Sequence, residues 1–334
     1  MTRITRNGAL WKALGLLCCA VLLLPVSSSA QPEFESHDTL FAVSFPTEKD
    51  GWACGRFGTI MHTSDGGQTW SRQNSGTTFT LSGICFTDAK NGWAVGNAGT
   101  ILHTSDGGET WEKQKSPVDY FHMDVTFFDG NKGFIASERT HILATKDGGK
   151  SWTVQYSDED YILKAISFCD EVHGWAVGEA GYTYRTADGG RTWEKQAGLY
   201  DMDEYGFIVS DPTLFDVVAV DPQTAWAVGI QGVARRTGDG GATWERVDIG
   251  AGKAHLYTVS RLATGGLMVA GKGLCLVSEN GGKAWQEPSF EPKIDYSWLY
   301  DIGNAGPGSM LVCCGDEGAI FRKASGGAWQ RVAY

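Results

Sequence analysis

The sequence predicts an all-β fold, a seven-bladed propeller of four-stranded antiparallel blades, from three observations. A short turn recurs seven times, for example as TSDGGETW at residues 104–111. The chain of 334 residues is rich in glycine (45) and tryptophan (13), with many short apolar runs. Spacings of 41, 41, 41, 51, 41 and 44 residues separate the turn tryptophans Trp70, Trp111, Trp152, Trp193, Trp244, Trp285 and Trp329. A period of about 40 residues holding four strand-like pieces is typical of propeller blades.

The first element, residues 1–30, has the pattern of a secretory signal peptide. Arg3, Arg6 and Lys12 precede the apolar run ALGLLCCAVLLLPV, and SSSA then offers small residues for cleavage after Ala30. The run is shorter than the roughly 20 residues of a membrane span. We therefore predict a soluble exported protein, in the periplasm or outside the cell, with an uncleaved membrane anchor as the alternative.

The mature chain is acidic and has no expected lipid anchor. Cys18 and Cys19 lie inside the apolar run, with no small-residue site before them. Loss of the three cations of the signal peptide takes the formal charge from -11 to -14, because -11 minus 3 is -14. A general nucleic-acid binder or a binder of anionic membranes is therefore not expected.

Residues 31–334 are predicted to form a single propeller domain. In the repeat Leu81 to Gln114, LSGICF is an alternating strand, GWAVG a short second strand, TILHT a third and TWEKQ a fourth. Such strands, joined by tight turns, form a twisted sheet that is apolar on both faces because it lies between two neighbouring sheets.

The recurring turn is predicted to stabilise the fold. Its aspartate can accept hydrogen bonds from backbone N–H groups of the same turn, its glycines supply positive φ angles, and its tryptophan packs over the turn or between blades. The alternative is calcium binding or acid-base chemistry, but each turn offers one carboxylate where calcium takes six to eight oxygens. The structural pairs are Asp65 and Trp70, Asp106 and Trp111, Asp147 and Trp152, Asp188 and Trp193, and Asp239 and Trp244.

The motif S-x-D-G-G-x-T-W resembles the Asp-box of BNR-repeat propellers. The stretch GWAVGNAGTILHTSDGGETW resembles the photosystem II stability/assembly factor family of exported seven-bladed propellers, and the resemblance covers essentially the whole mature chain. It implies a non-enzymatic factor that holds a membrane-protein subunit during assembly. The repeats also occur outside photosynthesis, so the photosystem itself is not implied.

The same resemblance implies an arginine-rich binding patch, for which the match here is Arg185, Arg191, Arg235 and Arg236. Comparison of the blades makes Arg235 the exception on the third strand. The equivalent residues are Met61, Leu102, Leu143, Tyr184, Leu276 and Phe321. A guanidinium at an otherwise apolar position needs a partner or access to solvent. The next position is permissive, so ordinary solvated or stacked arginines are the alternative to ligand contact.

The 51-residue spacing places ten extra residues before the fifth blade, in LYDMDEYGFIVSDP. Insertions in propellers form loops on a face, where acidic and aromatic side chains can contact a partner. The candidates are Asp201, Asp203, Glu204 and Tyr205, and a solvated loop is the alternative.

The first strands are expected to line the central channel. With small register shifts, one equivalent polar position holds Ser82, Asp124, Lys164, Asp216, Thr258 and Asp301. Such a ring predicts either a site for a small polar ligand or a water-filled channel.

The sequence predicts no metal or cofactor. Six cysteines follow residue 30, but there is no CxxC and no Cys/His spacing suited to zinc, and no phosphate or dinucleotide motif is present. Cys275 with Cys313 is the best disulfide candidate, and buried free thiols are the alternative.

From these observations we expect an exported, monomeric, non-enzymatic binding or assembly scaffold with a membrane-associated or exported protein partner. The alternative is a carbohydrate-active glycoside hydrolase of the BNR type or a glycan-binding propeller, since two carboxylates near the channel mouth could hydrolyse a glycosidic bond.

Overall fold

Seven sheets succeed one another along the chain, which confirms the predicted propeller. The structure is a computed structural model that describes residues 38–304, 310–323 and 327–332. These residues belong to one compact unit, Ser36–Tyr334. The predicted signal peptide lies outside the described residues. No helix in the described ranges is long and apolar enough to cross a membrane.

The first four blades are regular four-stranded antiparallel sheets with strands in chain order. Blade 1 contains β1 (Leu40–Ser44), β2 (Gly51–Gly55), β3 (Ile60–Thr63) and β4 (Ser71–Gln73). Blade 2 contains β5 (Leu81–Phe86), β6 (Gly92–Gly96), β7 (Thr100–Thr104) and β8 (Glu112–Lys113). Blade 3 contains β9 (His122–Phe127), β10 (Gly133–Ser137), β11 (His141–Thr145) and β12 (Thr153–Tyr156). Blade 4 contains β13 (Leu163–Phe168), β14 (Gly174–Gly178), β15 (Thr183–Thr186) and β16 (Glu194–Ala197).

The second part of the ring is less regular. A separate hairpin follows blade 4, formed by β17 (Tyr200–Met202) and β18 (Ile208–Ser210). Blade 5 contains β19 (Leu214–Ala219), β20 (Ala225–Gly229), β21 (Ala234–Thr237) and β22 (Glu245–Arg246). Blade 6 contains β23 (Leu256–Arg261), β24 (Leu267–Gly271) and β25 (Leu274–Ser278). The chain then forms β26 (Phe290–Glu291), and blade 7 contains β27 (Leu299–Asn304), β28 (Leu311–Gly315), β29 (Ile320–Lys323) and β30 (Trp329–Arg331).

Blade 6 departs from the predicted four strands. Its fourth strand is reduced to one bridge between Val277 and Gln286. Beyond it, β26 pairs in parallel with β30 of blade 7. The edge of blade 7 is thereby covered by chain from blade 6, which removes one unpaired sheet edge.

The core lies between the sheets. Second strands β2, β6, β10, β14, β20, β24 and β28 are buried along their whole length. In blades 1 and 2 the tryptophan of the second strand stacks on a phenylalanine of the next blade, with ring centroids 3.7 Å apart for Trp52 and Phe86 and 3.6 Å for Trp93 and Phe127. Both faces of each sheet are therefore apolar, as the strand pattern predicts.

The ring closes without exchange of strands, as the sequence predicts, because blades 1 and 7 each use their own four strands. Packing of Val43 and Phe45 against Val312 and Ile320 joins these two blades. The Arg322 Nε also donates a hydrogen bond to the Gly66 carbonyl, at 2.6 Å.

Chain direction assigns each connection to one of two faces. Each first strand begins on what we call the front face, so the connections between blades and between second and third strands lie there. The recurring Asp-Gly-Gly turns join third to fourth strands and lie on the opposite, back face. Hairpin β17–β18 is a connection between blades 4 and 5 and therefore belongs to the front face.

Candidate functional site

The Asp-Gly-Gly turns have the structural geometry that the sequence predicts. In blade 2, Asp106 Oδ1 accepts hydrogen bonds from the Thr104 hydroxyl at 2.8 Å and the Thr110 N–H at 3.0 Å, while its Oδ2 accepts one from the Thr110 hydroxyl at 2.6 Å. These bonds lower the pKa of Asp106 to about 2, and the bond from the Thr110 hydroxyl has the largest effect. The carboxylate is therefore fully used by its own turn.

The other four complete turns repeat this arrangement. The aspartates accept hydrogen bonds from the preceding and the following hydroxyl residue, and each pKa is lowered to about 2. They are Asp65, Asp147, Asp188 and Asp239. In the sixth turn Asn280 takes the place of the aspartate and accepts the equivalent N–H bond from Ala284 at 2.9 Å.

Two of the turn tryptophans, Trp111 and Trp152, form hydrogen bonds to the preceding blade. Trp152 Nε1 of blade 3 donates to Gln114 Oε1 of blade 2 at 3.1 Å, and Gln114 Nε2 donates to the Gly148 carbonyl at 2.8 Å. Trp111 and Gln73 form the equivalent contact one blade earlier, with a longer bond of 3.4 Å. A glutamine at the end of one blade thus holds the turn of the next.

Each first strand carries a β-bulge at the channel. In every blade the first strand contains one extra residue, which has no partner of its own on the second strand. The bulged residues are Phe41, Ser82, Met123, Lys164, Phe215, Tyr257 and Tyr300, one from each blade. A bulge re-aims side chains at the rim of a sheet.

The bulges correct the predicted channel ring. Ser82 and Lys164 are bulged residues, whereas the other four predicted members lie one residue further along their strands. Those four are Asp124, Asp216, Thr258 and Asp301. The six residues therefore form two successive layers and not one equivalent position, because the extra residue shifts the register by one.

The channel aspartates connect first strands of neighbouring blades. Asp124 Oδ2 accepts the Ile166 N–H at 2.9 Å, Asp216 Oδ2 accepts the Val259 N–H at 2.7 Å, and Asp301 Oδ2 accepts the N–H of Val43 at 2.8 Å. The second oxygen of each carboxylate accepts the N–H of the following residue. Three of the seven blade junctions are bridged in this way.

These three carboxyl groups are hard to ionise. Burial raises the pKa of Asp124 to about 7 and that of Asp301 to about 6, and it raises the pKa of Asp216 well above its ordinary range. The backbone hydrogen bonds oppose this effect, and the negative charge of Asp301 adds to it at the other two sites. All three carboxyl groups have the same geometry, in which each one joins two neighbouring blades of the fold.

A cavity of about 470 Å³ lies at the front mouth of the channel, above the aspartates. Aromatic rings cover one sector of its wall, with centroid distances of 5.2 Å between Phe41 and Tyr300, 5.1 Å between Tyr300 and Tyr257, and 5.3 Å between Tyr257 and Phe215. Among the residues that the structure describes, the charged groups lining it are Arg56 and Lys164, both cationic. The wall is therefore largely apolar with two positive groups.

The four candidate arginines do not form one patch. Arg235 lies on β21 with its guanidinium 3.0 Å from the Asp211 carboxylate, which supplies the partner that its apolar position demands. Arg236 is the next residue of the same strand, so the two side chains point to opposite faces of the sheet. Blade 5 thus separates them, and a joint role in binding stays a prediction.

The other two arginines contact their own surroundings on the back face. Arg185 stacks over Trp175 at 5.4 Å and donates to the Pro222 carbonyl at 3.1 Å. The exposed Arg191 donates from Nε to the carbonyl of Asp188 at 3.0 Å. These contacts match the stacked and solvated alternative considered from the sequence.

The ten-residue insertion forms hairpin β17–β18, which exposes a large apolar surface. Asp203 closes its turn, since its Oδ1 accepts the N–H groups of Tyr205 and Phe207, each at 2.9 Å. Tyr205 is 77% exposed and Phe207 is 70% exposed. Seven of the thirteen exposed large apolar side chains in the described ranges lie here: Leu199, Tyr200, Met202, Tyr205, Phe207, Ile208 and Val209.

The base of the hairpin is fixed to blades 4 and 5. Leu199 N–H donates to the Ala180 carbonyl at 3.1 Å, and Asp211 N–H donates to the Leu199 carbonyl at 2.9 Å. Beside this base lies a groove of about 760 Å³ whose acidic lining residues are Glu159, Asp160, Glu179 and Asp211. The hairpin thus combines an apolar tip with an acidic base.

The six described cysteines carry free thiols, so Cys275 and Cys313 form no disulfide and the predicted pairing is wrong. Cys169 lies with Asp170 and His173 in a set whose potential ligand atoms are within 4.8 Å of one another. Asp170 already accepts the Val172 and His173 N–H groups of the turn, at 2.7 Å each. The proximity of the three side chains is explained by this turn.

Sequence reasoning missed the aromatic bulge residues and the apolar character of the hairpin. A signal for the first was present, because the bulge residues recur with the repeat period between Phe41 and Tyr300. On the first strands, the sequence analysis considered the polar residues as channel-lining and not the aromatic residues beside them. In the insertion, the candidates Asp203, Glu204 and Tyr205 include one of the exposed apolar side chains, but not the neighbouring Met202 and Phe207.

Comparison with known proteins agrees with this architecture. The sequence profile of the family described as photosynthesis system II assembly factor YCF48 matches residues 26–116, 74–160, 110–197 and 207–333. Among curated proteins, no sequence matches this chain.

Solved structures with the same fold are distant in sequence. A structure of YCF48 bound to D1 peptide is 20% identical, with a TM-score of 0.71 over 87% of this chain and 93% of that one. YCF48 from Cyanidioschyzon merolae is 18% identical, with a TM-score of 0.68 over 87% and 96%. A GH74 xyloglucanase from Xanthomonas campestris is 12% identical, with a TM-score of 0.69 over 89% of this chain and 54% of that one.

Proposed function

This chain belongs to the photosynthesis system II assembly factor YCF48 family, and we propose that it is an exported, non-enzymatic scaffold that holds a membrane or exported protein during assembly. Export is proposed from the signal-peptide pattern of residues 1–30. Action as a monomer is part of the same proposal. The photosystem is not part of it, because the sequence itself carries no feature specific to that partner.

The observation that carries the proposal is the exposed apolar hairpin β17–β18. Monomeric soluble proteins rarely expose contiguous apolar patches beyond a few hundred Å², and larger patches mark interaction sites. Here apolar side chains such as Met202, Tyr205 and Phe207 are two-thirds or more exposed, and they lie within one short segment, whereas the other exposed large apolar residues of the described ranges are scattered along the chain. Water-exposed apolar area of this kind favours binding to another apolar surface.

The backbone of the hairpin supports the same role. Within the described residues, β17 pairs only with β18, so no other strand pairs with their outer edges. One N–H of the β17 edge is already used, since Met202 donates to Asp201 Oδ1 at 2.7 Å. Free edges can pair with an extended segment of another protein, with side-chain contacts supplying specificity. Asp201 and Glu204 on the hairpin and the acidic groove at its base favour an apolar segment that also carries basic residues.

The comparisons are compatible with peptide binding by this fold. The relative solved with a D1 peptide shows that a propeller of this family can hold a peptide, at 20% identity to this chain. The similarity to xyloglucanases, at 12% identity, concerns the fold. The channel aspartates each accept two backbone N–H bonds, which leaves them poorly placed as a hydrolytic pair.

The test is affinity capture with crosslinking from envelope extract of the native organism. The wild type is compared with a Tyr205→Ser, Phe207→Ser, Ile208→Ser variant. Burial of each such side chain at an interface is worth about 1.5–3 kcal/mol, so we expect at least about a tenfold loss of the captured membrane or exported protein.

A matched control removes exposed apolar residues elsewhere: Phe79→Ser, Val154→Ser, Val172→Ser. It should capture the partner as the wild type does, and circular dichroism should show that all forms are folded. Equal capture by the hairpin variant and the control would refute the hairpin site. An Arg185→Ala, Arg235→Ala, Arg236→Ala variant tests the arginine prediction, and glycan hydrolysis by the wild type would overturn the scaffold function.

A further inference from the structure

We propose that the cavity at the front mouth of the channel binds a small carboxylic acid with an aromatic or branched apolar side chain. The site is built by the bulged residues, one from each blade, together with Arg56 on the turn Arg56–Gly58. This binding activity is independent of the hairpin surface.

The first argument is the apolar wall. Five of the seven bulged residues are apolar or aromatic, and all seven are only half-buried: Phe41, Ser82, Met123, Lys164, Phe215, Tyr257 and Tyr300. A channel that only holds water gains nothing from such a lining, because partly exposed rings are left without packing partners on their channel side. A ligand with its own apolar group would complete that packing.

The arrangement of the rings defines where that group would lie. Phe215, Tyr257, Tyr300 and Phe41 come from blades 5, 6, 7 and 1 and form a continuous arc, with neighbouring centroids 5.1 to 5.3 Å apart. Phe121 and Met123 of blade 3 line the opposite part of the cavity. The cavity of about 470 Å³ is within the size range of small-molecule sites, about 300–1,000 Å³.

The second argument is the unpaired ammonium group of Lys164. This half-buried side chain makes no hydrogen bond and no direct ion pair with any described residue. Burial lowers the pKa of Lys164, because the charged ammonium group loses part of its hydration at this position. A carboxylate in the cavity would supply the missing partner and recover part of this cost.

The acidic groups near Lys164 are already engaged elsewhere. The negative charges of Glu179 and Glu138 raise the pKa of Lys164 and so oppose the effect of burial, but neither residue lines the cavity. Glu138 Oε2 accepts the Phe121 N–H at 3.0 Å, and Glu179 Oε2 accepts the Ile162 N–H at 3.1 Å. With Arg56 as the second lining cation, the charge inside the cavity selects an anion.

Two sources can supply this chemistry, a free acid or the carboxyl-terminal residue of a polypeptide. The probes are therefore 3-phenylpropionate, its neutral amide, the tripeptide Gly-Gly-Phe and the same tripeptide with an amidated terminus. Titration calorimetry on the purified folded protein measures each affinity. Tighter binding of Gly-Gly-Phe than of 3-phenylpropionate identifies a chain terminus as the natural ligand, and the reverse order identifies a free acid.

The variant that tests the ammonium group is Lys164→Gln. A hydrogen bond to a charged group contributes about 1.5–3 kcal/mol, so affinity for both acids should fall by about 10- to 100-fold. Affinity for the amides should change little, and Lys164→Arg should restore acid binding. Tyr257→Ala should weaken the binding of acids and amides alike, because it removes part of the aromatic arc.

The matched control is Lys195→Gln, which removes a lysine that lies 3.8 Å over the ring of Tyr182 outside the cavity. It should bind every probe as the wild type does. The proposal is wrong if neither acid binds the wild type at millimolar concentration, or if Lys164→Gln binds the acids as tightly as the control does. Thermal unfolding of each variant verifies that the fold is retained.

Discussion

At the scale of single residues, the aspartates of this chain have two opposite environments. Those of the Asp-Gly-Gly turns are exposed or half-buried and are surrounded by donors, so that their ionised form is favoured. The aspartates of the channel also accept backbone N–H bonds, yet burial dominates and favours the neutral form. The contributions of these identical side chains to folding stability therefore depend on pH in opposite directions.

The turn carboxylate makes a testable contribution to stability. Because the folded-state pKa of Asp106, about 2, lies below its ordinary value of 3.8, the contribution is present above about pH 4 and is lost as the pH falls through about 2. We expect Asp106→Asn to lower the urea midpoint at pH 7 and to have little effect near pH 2. Tryptophan fluorescence during urea unfolding measures both midpoints.

Asp119→Asn is the matched control, since this exposed carboxylate makes no hydrogen bond with the described residues. It should leave the midpoint unchanged at both pH values. An equal decrease for Asp106→Asn at pH 7 and at pH 2 would show that the ionised turn carboxylate is not the stabilising species.

At the scale of elements, the glutamine at the end of a blade joins that blade to the next. Gln114 satisfies both the Trp152 indole N–H and the Gly148 carbonyl. Gln155 is the equivalent residue one blade later, but its Nε2 donates to the Arg191 carbonyl at 3.3 Å. The Trp193 indole N–H of that next blade is buried without a partner among the described residues.

This difference predicts unequal effects of two similar substitutions. Gln114→Ala would leave a donor and an acceptor unpaired, which costs about 1–3 kcal/mol. Gln155→Ala removes one long, exposed bond and should change the unfolding free energy by less than about 0.5 kcal/mol. Urea unfolding at pH 7 measures both values, and equal losses would refute the proposed role of Gln114.

At the scale of the whole molecule, closure of the ring depends on contacts between residues far apart in sequence. Asp301 of blade 7 accepts the Val43 N–H of blade 1, across 258 positions. Apolar packing between the same blades surrounds this bond. Such contacts form only when the chain ends meet, so closure has the largest loop entropy to overcome.

The closing carboxyl group makes stability depend on pH. The folded-state pKa of Asp301, about 6, lies above its ordinary value of 3.8, so the folded state binds more protons and stability falls as the pH rises from about 4 to about 6. Asp301→Asn removes this titration. We expect the unfolding free energy of the variant to decline less than that of the wild type between pH 4.5 and pH 7.5, as urea unfolding at about these two values would show.

Parallel declines in the two proteins would contradict the raised pKa. Asp50→Asn is a suitable comparison, because Asp50 accepts a hydrogen bond from Thr47 in the connection between the first and second strands of blade 1 and does not belong to the set of channel aspartates. Its pH dependence should follow that of the wild type over this range.

The sequence by itself determined the number of blades, their short strands and the role of the Asp-Gly-Gly turns. These features depend on local patterns, the alternation within a strand and the hydrogen bonds within one turn, which neighbouring residues specify directly. The partner requirement of Arg235 was also predictable, because its blade-to-blade equivalents are apolar.

Only the tertiary structure decided which side chains share the channel and the front face. A bulge is a property of the pairing between two strands, and its one extra residue re-aims the side chains, so Phe41 and Tyr300 line the same cavity as Lys164. The same dependence on pairing separated Arg235 from Arg236. Apolar residues of the insertion became a surface because hairpin β17–β18 has no third strand to bury them, which no local pattern in the sequence specifies.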